Sequence, residues 1–363
     1  MHSIGSRVLE RIEQVCPDDL HRDIAQDIGM TPDAFSRALR DKRQFSSLEL
    51  ARLAERLNAD LHWIITGAPD PNRLTVAARH NFDHETGERD IPGREGDEAT
   101  IQNIALAYRQ AYREPEIANP LPDHPDKARD LLGDAFVRPF AERLEQRLGV
   151  DVVRVPDLST AYSFTVGGRR VIAIPATGNW FRENWSMAHE LGHLAMGHHD
   201  EGLAADVSEK HEVSANSFAA DLLLPEDVLG KFDWDHTGDP ELADAVWWLG
   251  VSTDALARRL NSLNGYVPQR VSFWAGHPTQ RLLRRCLMLD SAGDDVITQR
   301  MDEAAQRRFP LALQEAHVAG IASGSLGKGT LAWMLGIDAD ALEVDAPEVP
   351  EVKADALADA LGL

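Results

Sequence analysis

Between Val150 and Ala176 the hydrophobic period of the chain changes. "VDVVRVP", "AYSFTV" and "RRVIAIPA" are short runs rich in β-branched residues, which suit a pleated, packed surface better than a helix. Gly167-Gly168 separates the last two runs and reads as a hairpin turn, where glycine takes left-handed conformations without steric cost. A small antiparallel sheet is expected here. Elsewhere apolar residues recur mostly at helical spacing, as in Val8, Ile12 and Val15 or Leu48, Ala51 and Leu57. The expected class is therefore mainly α (α+β), with the sheet leading directly into a histidine-rich helix.

That helix carries "WSMAHELGHLAMGHH". On a helix His189 and His193 lie one turn apart on one face, so both imidazoles reach one ion. Glu190 is rotated by about 100°. It stands beside the metal rather than on it. This is the H-E-x-x-H arrangement of two zinc ligands and a general base. A surface helix with two solvated histidines would carry the same letters. However, Trp185, Ala188, Gly192 and Ala195 make an apolar, small-residue face, and histidines on a packed helix need partners. A neighbouring edge strand could hold an extended substrate.

A third protein ligand is needed, and two completions are open. His199 has the final spacing of H-E-x-x-H-x-x-G-x-x-H, but Met196 occupies the glycine position and Gly197 falls one residue late. The glycine turns the chain back in that pattern, and methionine resists the turn. The other completion is Glu212, 19 residues after His193, in the first turn of a helix read from "HEVSANSFAADLLLP". A carboxylate there gives a His2Glu site with one open position. Its alternative role is to complement the positive end of its helix. Asn216 lies one turn further on the same face, a candidate for the shell around the ligands. His198, His199, His211 and Asn216 are all near enough in sequence to serve a developing oxyanion.

"WSMAHELGHLAMGHH" followed by "EVSANSFAADLLLP" resembles the ImmA/IrrE family of bacterial metallopeptidases, in which H-E-x-x-H is paired with a later E-x-x-A-N-x-F-A-x-x-L-L-x-P. The matching positions are Glu212, Ala215, Asn216, Phe218, Ala219, Leu222, Leu223 and Pro225. "ELADAVWWLGVSTDALARRLNSLNGYV" resembles the helices that follow, so the likeness covers roughly residues 100–265. The resemblance implies a zincin-like fold with His189, His193 and Glu212 as ligands and Glu190 as base. It implies one zinc ion (Zn2+) per chain, with manganese (Mn2+) as the alternative. Peptide hydrolysis then rests on the Lewis acidity of the ion, with Glu190 passing a water proton to the leaving amine.

The N-terminal stretch "RDIAQDIGMTPDAFSRALRDKR" reads as a helix-turn-helix. Ala25 is small where two helices cross, Gly29 sits at the turn, and Phe35 and Ala38 face inward. Thr31 caps the second helix, with Pro32 in its first turn. Thr31, Ser36, Arg37 and Arg40 are the candidates for contact with a major groove, and Lys42 and Arg43 for phosphate. Thr31–Arg43 holds four basic and two acidic residues. Residues 1–67 together are slightly acidic, with nine basic and eleven acidic residues. With "SLELARLAERLNADLHWIITG" this block resembles an Xre-type (phage-repressor-like) domain, which implies double-stranded DNA as a partner.

The expected order is a helix-turn-helix domain (1–67), a Pro-, Gly- and charge-rich linker (68–98), a zincin-like metallopeptidase domain (99–265), a helical C-terminal region (266–335) and an acidic, solvated tail (336–363). A single helix is expected over Leu131–Leu148. "GSLGKGT" imitates a phosphate-binding loop, but Ala322 replaces its first glycine and Gly329 follows Lys328 where serine or threonine should hold magnesium. The net charge of −22 opposes general polyanion binding. Only Cys16 and Cys286 are present, which excludes a disulfide framework and suits a reducing, cytoplasmic setting. No apolar run approaches membrane-spanning length, so no membrane partner is expected. By resemblance the substrate is a transcriptional repressor or antitoxin, and a homodimer is open. The alternative is a helix-turn-helix regulator or antitoxin whose metallopeptidase-like domain senses metal or binds a partner protein.

Overall fold

The structure, a computed structural model, describes residues 3–17, 19–57, 59–67, 75–78, 81–82, 89–90, 94–112, 114, 119–198, 205–286 and 295–344. The chain divides into two compact units, Met1–Thr75 with Asp200–Ala205 and Val76–His199 with Asp206–Leu363. The expected His199 lies outside the described residues, as do most of the 68–93 segment and the tail beyond residue 344.

The first unit has five short helices, α1 (Ile4–Val15), α2 (His21–Asp27), α3 (Pro32–Leu39), α4 (Ser47–Arg56) and α5 (Leu61–Thr66). Each of α1, α3, α4 and α5 starts at a side-chain cap, on Ser3, Thr31, Ser46 and Asp60. Such caps satisfy otherwise orphaned backbone N–H groups. Val8, Ile12, Ile24, Phe35, Leu53, Leu57 and Ile64 form one core. Arg7 is buried against it and donates to Ile64 O and Ile65 O, both at 2.9 Å, neutralising the carbonyl end of α5.

After β1 (Thr75–Ala78) at the division, the second unit has a small antiparallel pair β2 (Asn81–Phe82) and β3 (Arg89–Asp90), and α6 (Arg94–Ala111). Next come α7 (Pro125–Leu132) and α8 (Phe140–Arg143), which runs into a wide π-type turn at Leu144–Leu148. The single helix expected over Leu131–Leu148 is therefore two. Gly133 (φ +79) and Ala135 (φ +52) take left-handed conformations no helix continues through, and Pro139 precedes the restart. Pro125 initiates α7, because its missing N–H is an orphan at that position in any case.

β4 (Val150–Val155), β5 (Tyr162–Val166) and β6 (Arg169–Pro175) follow. The sheet order is β1-β5-β6-β4. The hairpin β5–β6 is antiparallel, with Tyr162 opposite Ala173 and Val166 opposite Arg169. The expected all-antiparallel sheet is corrected at β4, which pairs parallel to β6 from Val150↔Arg170 to Val155↔Pro175. The reason lies in burial. β4 is almost wholly buried on both faces, as parallel strands are, and its connection to β5 lets β6 insert between them. The outer edge of β4 is closed by paired backbone bonds between Arg154 and Arg308, at 2.9 and 2.8 Å, which removes an exposed edge.

The remaining elements are α9 (Trp180–Met196), α10 (Ala205–Leu223), α11 (Glu226–Leu229), α12 (Asp239–Leu249), α13 (Thr253–Asn264), α14 (Gln269–Ala275), α15 (Thr279–Cys286), α16 (Val296–Ala305), α17 (Leu311–Ala322) and α18 (Gly329–Leu335). α9 packs on β5 and β6 through a core that includes Ala188, Leu191 and Ile172. Its first turn is held by Glu183, whose two carboxylate oxygens accept from buried Arg154 at 2.9 and 2.5 Å. Among the described residues no helix is long and apolar enough to cross a membrane. A helix, α17, precedes the "GSLGKGT" loop, where a phosphate-binding loop needs a strand.

Candidate metal centre

α9 and α10 bring the three expected ligands together. His189 Nε2 and His193 Nε2 are 3.1 Å apart. Glu212 Oε2 is 3.3 Å from His189 Nε2, and Glu212 Oε1 is 3.4 Å from His193 Nε2. Among the described residues these form a cluster able to hold an ion. α10 begins at Ala205, well before the expected helix, in which Glu212 fell in the first turn. The carboxylate therefore sits about two turns in, beyond the reach of the helix-terminal charge. Gly192 permits the approach of α10: a Cβ there would lie 3.1 Å from Phe218 Cβ and 3.2 Å from Ala215 Cα.

Hydrogen bonding prepares these atoms for a cation. His189 Nδ1 lies 3.1 Å from Asn216 Oδ1, an acceptor, so the ring carries its proton on Nδ1 and turns a bare lone pair inward at Nε2. His193 Nδ1 lies 3.2 Å from His198 Nδ1, and His198 stacks flat on His211 with centroids 3.8 Å apart. In the metal-free site burial disfavours the charge of Glu212, but hydrogen bonds and attraction from the two imidazoles, once they take up a proton on the inward nitrogens, outweigh it and hold the carboxyl at about 2. Two inward-facing imidazole nitrogens and a carboxylate would repel one another without a proton or a cation between them. Ligands at 2.0–2.1 Å around tetrahedral zinc stand about 3.3–3.4 Å from each other; the two histidine nitrogens are 3.1 Å apart, and each has one Glu212 oxygen near that spacing, Oε2 for His189 and Oε1 for His193. The residues fit the ion.

Glu190 is fully buried on the same helix. Its Oε2 accepts from Ser163 Oγ at 2.7 Å, so β5 positions the candidate base. The loop before β5 is itself tied to α6. Asp97 accepts from Ser159 N (2.9 Å), Ser159 Oγ (2.5 Å) and Tyr162 Oη (2.6 Å). Sequence reasoning found neither Ser163 nor Asp97. Asp97 fell inside the expected linker, and Ser163 was one polar letter in an apolar strand. β5 is not an edge, because β1 lies on its other side. The expected edge strand of the hairpin is thus already paired.

The candidate DNA-contact residues are also placed. Thr31 Oγ1 accepts from Ala34 N at 3.3 Å and caps α3. Arg37, Arg40 and Lys42 are exposed, and Ser36 is half-buried. Arg43 is engaged elsewhere, donating to both carboxylate oxygens of Glu49 at 3.1 and 2.8 Å.

Residues 145–261 match the family model described as Peptidase_M78: IrrE N-terminal-like domain. No curated protein and no solved structure matches the chain. The matched stretch runs from the turn before β4 into α13, so it contains the sheet hairpin and both helices that meet at His189, His193 and Glu212. The part of the chain that carries His189, His193 and Glu212 is thus similar to the IrrE N-terminal-like domain, a metallopeptidase kind.

Proposed function

We propose that the protein is a zinc-dependent, site-specific endopeptidase that cleaves a transcriptional repressor or antitoxin, and that residues 1–67 tether it to DNA. The observation that carries this reading is the 3.1–3.4 Å convergence of His189, His193 and Glu212 beside a buried Glu190. His189, His193 and Glu212 hold the ion. Bound there, zinc supplies a Lewis acid for the scissile carbonyl and acidifies water. Glu190 takes up the proton and delivers it to the leaving amine. Ser163 keeps that carboxylate aimed, and Asn216 keeps His189 in the ligating tautomer. The exposed Arg37, Arg40 and Lys42 support DNA contact through α3 and the turn after it.

The test mixes purified, zinc-loaded protein with repressors encoded beside its gene. The wild type should release defined fragments, while Glu190→Gln binds zinc and cleaves nothing. Absence of fragments with the wild type, or equal cleavage by Glu190→Gln, overturns the reading. Operator-fragment retardation by the wild type, weakened in an Arg37→Ala/Arg40→Ala variant, tests the tether separately.

A further inference from the structure

A cavity of about 900 Å³ lies between the first turns of α9, the middle of α10 and the start of α13. It adjoins the metal centre through Asn216, which lines the cavity and also bonds His189. Three arginines line it, Arg182, Arg258 and Arg259, against one carboxylate, Asp254. That balance runs against the chain as a whole, whose net charge is −22. Arg259 is fixed, donating to Asp221 at 2.5 Å and to Leu224 O at 3.0 Å. Counting Asp221 still leaves one cation in excess. Among the described residues Arg258 forms an ion pair with Asp254, one turn away on an exposed helix face. Such pairs are weak and readily exchanged. Arg182 is exposed and makes no ion pair among the described residues. Trp185 supplies a half-buried aromatic wall between Arg182 and the ligands.

We propose that this cavity is a subsite for an acidic side chain of an extended peptide, received by Arg182 and Arg258. The inference rests on the endopeptidase reading and names the substrate class of that site. Helical rise puts Trp185 about 6 Å and Arg182 about 10 Å along α9 from His189. An extended peptide advances about 3.3 Å per residue. Arg182 therefore meets a side chain roughly three residues from the scissile bond. A carboxylate there gives Arg182 a counter-charge and competes with Asp254 for the exposed Arg258. The remaining negative charge of the protein repels acidic chains elsewhere, so the subsite also sets register.

The experiment uses full-length, zinc-loaded Glu190→Gln protein and three fluorescein-labelled decapeptides of one sequence carrying an Asp, Asn or Lys pair. Anisotropy should show the Asp peptide binding about tenfold more tightly than the Asn peptide at low salt, with the margin shrinking as salt rises. Arg182→Glu/Arg258→Glu should abolish the margin and favour the Lys peptide, whereas Lys127→Glu, on the exposed face of α7, should not. Equal binding of the Asp and Asn peptides, or a margin untouched by the double reversal, overturns the subsite. The wild type is assayed in parallel for cleavage of a peptide library. Charge-dependent binding without any cleavage leaves the subsite standing and removes the endopeptidase reading. Cleavage indifferent to flanking charge does the reverse.

Discussion

Gly192→Ala tests how closely the metal centre depends on the crossing of α9 and α10. The new Cβ would lie 3.1 Å from Phe218 Cβ, 3.2 Å from Ala215 Cα and 3.3 Å from Ala215 O. Carbon contacts settle at about 3.5–4.0 Å, so the helices must part by roughly half an ångström. Neither neighbour can rotate aside, because one is helix backbone and the other is the root of a buried ring. Glu212 lies three residues before Ala215, on the same face of α10, and moves with it. Each histidine nitrogen now has one Glu212 oxygen at 3.3 or 3.4 Å, near the spacing of about 3.3–3.4 Å in a tetrahedral zinc shell, and the parting widens both. Alanine gains about 1 kcal/mol in helix propensity over glycine, and overpacking costs about 1–3 kcal/mol. The metal-free protein should thus change stability by no more than about 2 kcal/mol. Zinc affinity should fall by about 10–100-fold, as when an outer-shell partner is lost. Competition against a chromophoric chelator measures the affinity, and melting with and without zinc measures the coupling. Unchanged zinc affinity together with a higher metal-free Tm would show that the crossing has slack, and would refute the argument.

Asn216→Ala frees the His189 ring and should weaken zinc binding by about 10–100-fold, with little change in metal-free melting; chelator competition distinguishes the two. Arg154→Met strands Glu183 in a buried site and should cost about 3–5 kcal/mol in urea unfolding. Burial already pushes the Glu183 carboxyl up despite Arg154, so part of that loss should return as pH falls and Glu183 takes up a proton; a pH-independent loss contradicts this. Glu212 is held at about 2, below the ordinary value near 4.3. A depressed carboxyl contributes stability that is present above its unfolded pKa and lost as pH falls through the folded one. The metal-free wild type should therefore lose its advantage over Glu212→Gln between about pH 4.5 and pH 2, and parallel stability curves across that window would count against the His189–Glu212–His193 contacts.

Much of the centre was legible because its chemistry is local. His189, Glu190 and His193 need only one turn of helix to face a common point, and the period of the surrounding apolar residues announces that turn. The helix bearing Glu212 was legible in its pattern, although its start was placed too late. The caps at Thr31 and Gly67 follow from single residues with strong conformational preferences. Other partners are distant in sequence and carry no local signal. Ser163 reaches Glu190 only because β5 lies against α9. Asp97 anchors the β5 loop from a helix 62 residues before Ser159. Arg43 read as a free cation until Glu49 came within 2.8 Å.

What the sequence determined by itself was the set of groups available for a metal, since side-chain identity and helical period are properties of neighbours along the chain. What only the tertiary structure decided was which of them meet. The choice of Glu212 depends on how closely two helices cross, and the aim of Glu190 depends on the strand beneath it. Both are set by packing of residues that touch in space and nowhere in sequence.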